Sequence, residues 1–131
     1  MTTQTKSAAL MDLLTWFEKC RPAQVCSLTW LECQTALVEA YANVLEHAHR
    51  GMPAETPILI KLAIYRQAIQ IQVWDHGPAL DLLGQLQCLP DQVAVTAERG
   101  RGLLLLRRTM DDLTYFRSPD DCNCLMMTRL F

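Results

Sequence analysis

The chain has 131 residues, of which half are apolar and a fifth are charged, and its formal net charge is -2 at pH 7. This length and composition predict a single globular domain spanning residues 1–131. Acidic and basic residues are interleaved, which argues against direct nucleic-acid binding and against a polybasic membrane anchor. The polar N-terminus and the short leucine run at 103–106 predict neither a signal peptide nor a membrane span, so we expect a cytoplasmic protein.

The six cysteines are poorly spaced for a disulfide framework or a metal site. The chain has no C-x-x-C pair, and its one C-x-C pair, Cys122 and Cys124, has no histidine close by in sequence. Alternate residues of a strand share a face, so a chelating pair at these two positions stays open as an alternative. Free thiols are the favoured interpretation.

Two helices are predicted in the first fifty residues. Apolar residues recur at helical spacing over residues 7–20, with Ser7 as a candidate N-cap and Pro22 as the helix terminator. A second and longer helix is predicted from about residue 27 to residue 50. It ends at Gly51 with Pro53 beyond, which is a common C-terminal signal.

The period of the apolar residues changes after residue 57. Two segments rich in β-forming residues, 58–65 and 68–74, are separated by two polar residues and predict an antiparallel hairpin. Residues 82–99 form a long connection of the kind that often serves as a lid. A helix is expected from Leu103 to about Asp112, followed by strands at about 113–118 and 123–131. Three helices and four strands predict an α+β fold, a two-layer α/β sandwich with a mainly antiparallel sheet covered on one face.

Two polar features could carry chemistry in the first two-thirds of the chain. Glu39, Asn43 and His47 are spaced four residues apart in the long predicted helix and form one stripe, although such a stripe alone is usually a solvated face. Asp75 and Gly77 follow directly on a strand. The carboxylate could accept from an exocyclic amine, and the glycine would leave room for a flat base. The same pair also occurs in ordinary turns.

A third feature is the sequence Gly100-Arg101-Gly102 before the last predicted helix. Helix N-termini present unpaired N–H groups and favour phosphate, and Arg99 and Arg101 would add positive charge. A short G-x-G is weak evidence by itself. The chain has only five glycines, however, and three of them fall in these last two features. The combination of the three features in this order is therefore the informative observation.

In this order the three features resemble the Bergerat ATP-binding arrangement of the GHKL superfamily. The segments EAYANVLEHA (39–48), IQVWDHGPALDL (71–82) and RGRGLLLLRRTMDDL (99–113) resemble the bacterial anti-sigma-factor serine/threonine kinases, the RsbW-like branch. The resemblance covers about residues 30–131 and implies a Bergerat-type fold that binds ATP and Mg²⁺. It implies these roles: Glu39 as general base, Asn43 as magnesium ligand, Asp75 on the adenine amino group, Gly77 beside the base, and Gly100 and Gly102 over the phosphates.

The same resemblance implies a kinase that phosphorylates serine or threonine on a small anti-anti-sigma (STAS-type) partner and also sequesters a sigma factor. A homodimer is expected through the resemblance alone. Two alternatives remain, a non-catalytic nucleotide-gated switch that only exchanges partners and an orphan histidine-kinase-like ATPase. The chain departs from the family in two places. Its first residues barely suggest the family's first strand, and Met126, with Thr128 close by, replaces a threonine common near the adenine. His47 has no assigned role.

Overall fold

The computed structural model describes residues 1–79 and 98–131 of the chain. Over these residues it contains three α-helices and five strands, which are β1 Thr2–Gln4, α1 Leu10–Lys19, α2 Ser27–Asn43, β2 Pro57–Ile64, β3 Ala68–Asp75, α3 Glu98–Thr109, β4 Asp112–Arg117 and β5 Asn123–Leu130. None of the helices in this part is both long and apolar enough to span a bilayer. The lid predicted for residues 82–99 lies outside the described residues, except that its last two belong to α3.

The five strands form one antiparallel sheet in the order β1-β2-β3-β5-β4. Strands β2 and β3 make the predicted hairpin, with Ile64 opposite Ile69. Strand β5 lies between β3 and β4, so the end of β3 is next to the start of β5 and Asp75 pairs with Asn123. The predicted α+β sandwich with an antiparallel sheet is confirmed.

The core lies between the helices and one face of the sheet. Residues of β3 alternate between half-buried and buried, which is the period of a strand with one covered face, and Ile69, Ile71 and Val73 are on the buried side. Phe17 of α1 stacks on Trp30 of α2, with ring centroids 4.3 Å apart and an interplanar angle of 12°. This stack joins the two helices above the sheet and fixes the position of α2.

The described residues contain one strand more than the four predicted. Residues 2–4 pair with residues 57–59 of β2, so β1 is an edge strand, as the family resemblance would require. Three residues are too few to show a strand period in sequence. The strand is held by tertiary contacts, because the buried Tyr41 hydroxyl of α2 lies 2.7 Å from the carbonyl oxygen of Gln4 and 2.9 Å from that of Lys6.

The first two helices have different ends from those predicted. Ser7 is not the N-cap of α1, because it lies in a 3₁₀ turn over Ser7–Ala9 that precedes the helix. Helix α2 leaves the α-conformation after Asn43 and continues as a π-helical turn over Val44–Ala48. Gly51, with φ of +80°, then ends the segment as predicted.

The last helix begins earlier than predicted and ends earlier. It starts at Glu98 instead of Leu103 and stops at Thr109 instead of Asp112, which is the first residue of β4. Gly100 and Gly102 therefore lie within the first turns of α3 and not before it. Each glycine in a helix costs about 1 kcal/mol relative to alanine. Packing of α3 against α2 offsets this propensity, which a local sequence pattern does not show.

We expect Tyr41→Phe to lower the free energy of unfolding by about 1–2 kcal/mol, because two carbonyl oxygens lose their shared donor. Urea denaturation measures this change, and faster amide exchange in residues 2–6 would locate it at β1. The exposed Tyr65 supplies the control variant Tyr65→Phe, which should change stability by no more than about 0.5 kcal/mol. Equal stability of the two variants would contradict the role of Tyr41.

Candidate functional site

A narrow cleft runs between α2 and the first turns of α3. Its walls include Glu39, Asn43 and His47 of the predicted polar stripe, with Gly102 facing them from α3; the other lining residues are Ala42, Glu46, Leu103 and Leu106. The cleft has a volume of about 30 Å³. This is room for about two water molecules. The cleft is therefore of a size for an ion with its water or for the end of a phosphate chain.

Helix α2 has a buried apolar side and a half-buried polar side, and the polar stripe lies on the side that lines the cleft. Leu37 and Tyr41 are buried in the core, whereas Glu39 and Asn43 are half-buried on another side of the helix. Residues four apart on an α-helix are stacked one turn above each other. The carboxylate of Glu39 and the amide of Asn43 therefore line the same wall one turn apart.

Gly102 approaches Glu39 so closely that a side chain at this position would displace the Glu39 carboxylate. A Cβ atom added at Gly102 would lie 2.5 Å from Glu39 Oε2. The glycine therefore has a reason to be there that is independent of its helix propensity. It lets α3 lie against the carboxylate of α2 and brings the first and third sequence features together.

The π-helical turn begins directly after Asn43, at the point where α2 leaves the cleft. The amide of His49 donates to the carbonyl of Val44 at 2.7 Å, which is the wider i→i−5 bond of a π-helix. Single π turns inside helices are frequent at functional sites, because they change the direction of the residues that follow. Here the imidazole of His49 is buried beside the end of β3.

Asp75 and Gly77 lie at the end of β3 inside a buried polar network. Asp75 Oδ1 accepts from the amide of Gly77 at 2.8 Å and from Asn123 Nδ2 at 2.9 Å. Asn123 Nδ2 also lies 3.0 Å from the carbonyl oxygens of Gly77 and Pro78. Arg117 Nη1 donates to Asn123 Oδ1 at 2.9 Å and to the Gly77 carbonyl at 3.2 Å.

This end of β3 contacts the segment that follows Asn43, through one close backbone approach and one hydrogen bond. A Cβ atom at Gly77 would lie 2.5 Å from the backbone oxygen of Ala48, so only glycine permits this approach. The amide of His76 donates to His49 Nε2 at 2.7 Å. Ala48 is the last residue of the π turn and follows Asn43 by five residues. The Asp75 region and the cleft therefore both lie against α2 and its π turn.

The contacts of His49 define its protonation. Nε2 accepts from the His76 amide, and the Thr5 hydroxyl, 2.7 Å from Nδ1, lies within hydrogen-bond distance of the Thr56 carbonyl oxygen. Nδ1 must therefore carry the proton, and the ring is neutral. Burial lowers the pKa of His49 below its ordinary value of 6.5; the charge of Asp75 opposes this shift and that of His76 adds to it.

The structure brings five of the predicted site residues into two groups along α2 and its π turn. Glu39, Asn43 and Gly102 line the cleft, and Asp75 and Gly77 lie at the end of β3, where Gly77 approaches Ala48 of the π turn. Arg99, Gly100 and Arg101 belong to the first turn of α3, and their surroundings lie outside what the structure describes. His47, which had no assigned role, also lines the cleft.

The residue beside Asp75 is Asn123 and not Met126. Met126 pairs with Gln72, three residues further along β5. Sequence reasoning missed both Asn123 and Arg117. An asparagine after a turn is ordinary in sequence, and only the pairing of β3 with β5 shows that it opposes an aspartate. The one signal available in the sequence was that β4 ends in a polar residue, Arg117, and β5 begins with another, Asn123.

Two of the described cysteines are deeply buried and stay protonated. Burial raises the pKa of the Cys33 thiol to about 11 and that of Cys124 to about 11. Over residues 1–79 and 98–131 the structure contains no group of three or more His, Cys, Asp or Glu side chains that could hold a metal. All five cysteines in that part are free thiols, as the sequence favoured.

Comparison with known proteins gives the following likenesses. The model of the histidine kinase-like ATPase domain matches residues 3–129. A serine-protein kinase RsbW of Listeria monocytogenes serotype 4a (strain HCC23) is 30% identical over 90 residues, which are 65% of this chain and 57% of that protein. The RsbW of Listeria innocua serovar 6a gives the same values. The resemblance to the RsbW-like kinases is thereby confirmed, although the match spans only 57% of the length of these curated relatives.

A solved structure, that of the SiaB-SiaC complex from Pseudomonas aeruginosa, contains a chain with the same fold. The two chains superpose with a TM-score of 0.62 at 11% sequence identity, over 100% of this chain and 89% of the other. At this identity the likeness concerns the fold alone. It agrees with the α+β fold described above.

The two close approaches predict opposite results for alanine substitution. Gly77→Ala should lower the free energy of unfolding by about 1–3 kcal/mol, because its Cβ meets the backbone of Ala48. Gly102→Ala is the matched control, since its Cβ meets only the end of the Glu39 side chain. It should leave stability unchanged or raise it by up to about 1 kcal/mol, as alanine favours helix. Thermal and urea denaturation compare the two, and equal losses would refute the assigned contacts.

The free energy of unfolding should fall as the pH is lowered from above about 6.5, because His49 is protonated more readily in the unfolded chain. The lowered pKa of the folded state means that this contribution is complete above the ordinary pKa and is lost at acidic pH, by up to about 1.4 kcal/mol per pH unit. His49→Gln should show a shallower loss between about pH 7.5 and about pH 5.5. His47→Gln, which leaves the contact of His49 with His76 in place, should retain the slope of the unsubstituted protein.

Proposed function

Because this chain belongs to the family of histidine kinase-like ATPase domains, we propose that it binds ATP with Mg²⁺ and transfers a phosphoryl group to a serine or threonine of a small protein partner. The observation that carries this proposal is the placement of Glu39 and Asn43 on one wall of a cleft that Gly102 closes. The relatives named serine-protein kinase RsbW support the choice of acceptor.

The cleft lined by Glu39, Asn43 and Gly102, which is the proposed phosphate end of the site, fits a magnesium ion. Mg²⁺ binds oxygen ligands and usually takes only one or two from the protein, with phosphates and waters supplying the others. The amide oxygen of Asn43 would be such a ligand, and no larger protein cage is needed. Magnesium, when bound, neutralises phosphate charge and orients the phosphates. Gly100 and Gly102, with Arg99 and Arg101, would lie along the phosphates.

Glu39 is proposed as the general base. Its carboxylate would accept the proton of the attacking hydroxyl as the new bond to the γ-phosphorus forms, while the bond from that phosphorus to the β–γ bridging oxygen breaks and ADP leaves. Phosphoryl transfer depends chiefly on positioning and on neutralising charge, so a base and a metal ligand one helical turn apart suit it. A general base contributes about 10²–10⁴-fold to rate. The close contact with Gly102 would limit the orientations of this carboxylate before a substrate arrives.

Asp75 and Gly77 are proposed to hold the adenine. The carboxylate would accept from the amino group, and the backbone at Gly77 would lie beside the flat ring. Asp75 is 5% exposed, so its contact with a base would be shielded from water. The close approach of Gly77 to the backbone of Ala48 would set the distance between the adenine contact and the phosphate end.

The partner is proposed to be a small anti-anti-sigma (STAS-type) protein, and the same chain would sequester a sigma factor, in transcription control in the cytoplasm. This part of the proposal comes from the RsbW relatives, of which the chain covers 57%. A homodimer is proposed on the same ground. Nothing in the composition favours nucleic acid as a direct partner.

Asn43→Ala should abolish magnesium-dependent ATP binding, whereas Glu39→Ala should bind ATP normally and lose transfer by about 10²-fold or more. Calorimetric titration with ATP, with and without magnesium, measures binding. Labelled ATP incubated with purified STAS-type domains from the same source measures transfer. Gln34→Ala is the control variant, since Gln34 is a half-buried polar residue of α2 outside the cleft lining.

Three results would separate the candidate functions. Transfer that disappears when the acceptor serine or threonine is replaced by alanine supports the kinase. ATP binding with partner binding but no transfer favours a nucleotide-gated switch. Slow hydrolysis of ATP without any protein acceptor favours an orphan ATPase. Unchanged ATP affinity in Asn43→Ala would contradict the assignment of the phosphate end.

A further inference from the structure

Asn123 is a fully buried polar residue for which the phosphoryl transfer proposed above has no direct use. Its Nδ2 has three acceptors within 3.0 Å, namely Asp75 Oδ1 and the carbonyl oxygens of Gly77 and Pro78. A buried amide is costly unless its hydrogen bonds are made, and a complete network holds its members rigidly. The groups that Asn123 holds are the ones proposed to contact the base.

Arg117 determines which way the Asn123 amide faces. Its Nη1 donates to Asn123 Oδ1 at 2.9 Å and to the Gly77 carbonyl at 3.2 Å. A guanidinium can only donate, so the amide oxygen has to face Arg117 and the NH₂ group has to face Asp75. Arg117 is itself fixed as the cross-strand partner of Asn123 in the β4–β5 hairpin.

Asp75 is consequently held with its two oxygens in different roles. Oδ1 accepts from the Gly77 amide at 2.8 Å and from Asn123 at 2.9 Å. Oδ2, which makes neither of these two bonds, would face the ligand. A carboxylate oxygen accepts from an amino group but repels a carbonyl oxygen. Adenine carries an amino group at the position where guanine and hypoxanthine carry a carbonyl.

We propose that Asn123, oriented by Arg117, is a positioning residue that makes Asp75 select adenine over bases with a carbonyl at that position. The inference rests on the function proposed above, since it takes Asp75 as the contact to the base. Without the Asn123 amide, the carboxylate can rotate and take up water, and the Gly77 and Pro78 carbonyls lose a common donor. Discrimination between an amino group and a carbonyl then weakens more than binding of the triphosphate does.

The test compares the dissociation constants of ATP and inosine triphosphate for the full chain with magnesium, by calorimetry. The unsubstituted protein should prefer ATP. In Asn123→Ala and in Arg117→Met, which removes the donors from that side chain, the ratio of the two constants should fall at least about ten-fold, because a hydrogen bond to a charged group is lost or misaligned. A purely structural role would weaken both nucleotides alike and leave the ratio unchanged.

Arg129→Met is the matched control on β5, the strand of Asn123. Arg129 Nη1 donates to the Thr109 carbonyl at 2.8 Å and Nη2 pairs with Glu32 at 3.2 Å, so its contacts are with the helices. This variant should keep the ratio. Should Asn123→Ala fail to fold, Arg117→Met, which keeps the buried amide, decides.

An unchanged ratio in the variants that fold overturns the inference and leaves the proposed function standing, provided that the unsubstituted protein binds ATP. A lower ratio in Asn123→Ala with an unchanged ratio in Arg117→Met overturns the part assigned to Arg117. Failure of the unsubstituted protein to bind ATP overturns the proposed function, and the inference with it. Equal affinity of the unsubstituted protein for both nucleotides overturns the inference alone.

Discussion

The arrangement of the site depends on close approach of two distant segments to one helix. A Cβ atom would lie 2.5 Å from the Glu39 side chain of α2 at Gly102, and 2.5 Å from the backbone oxygen of Ala48 in the π turn at Gly77. At the first point the obstacle is the end of a side chain, and at the second it is backbone. Helix α2 and its π turn therefore position both segments, because the Gly102 segment and the Gly77 segment each pack against them.

Packing of buried apolar side chains holds α2 in position. The stack of Phe17 on Trp30 and the row of β-branched residues in β3 hold α2 over the sheet. Interiors of this kind are close-packed and resist small displacements. The polar residues at the ends of β3 and β5 are buried by the same packing, so they need hydrogen-bond partners, and Asp75 and Asn123 supply one to each other. A close-packed apolar layer and a hydrogen-bonded polar network at its edge are consequences of the same geometry.

The π turn gives a physical link between the two ends of the site. A straight α-helix would carry the residues after Asn43 onward at 100° per residue. The wider turn changes that direction, and His49 is buried against the amide of His76. The imidazole is neutral, so a basic nitrogen at this position accepts a hydrogen bond without bringing charge into the core. The same burial lowers the pKa of His49, and this makes the free energy of unfolding depend on pH.

Local patterns in the sequence were sufficient for the hairpin of β2 and β3, for the three helices and for the α+β class. They also placed the three polar features in the right order. They were insufficient for β1, which has three residues and exists through its pairing with β2 and its contact with Tyr41. They were wrong for the start of α3, because two glycines argue against a helix unless packing against α2 is known.

The sequence by itself determined which residue types were present for chemistry: an acid and an amide one helical turn apart, an aspartate and a glycine after a strand, and a glycine pair near a helix. Periodicity is a local property, and each of these relations spans only a few residues. Only the tertiary structure decided that Asn123 lies beside Asp75 and that Gly102 lies against Glu39. Those pairs are 48 and 63 residues apart in the chain, and strand order and helix packing, which depend on the whole core, bring them into contact.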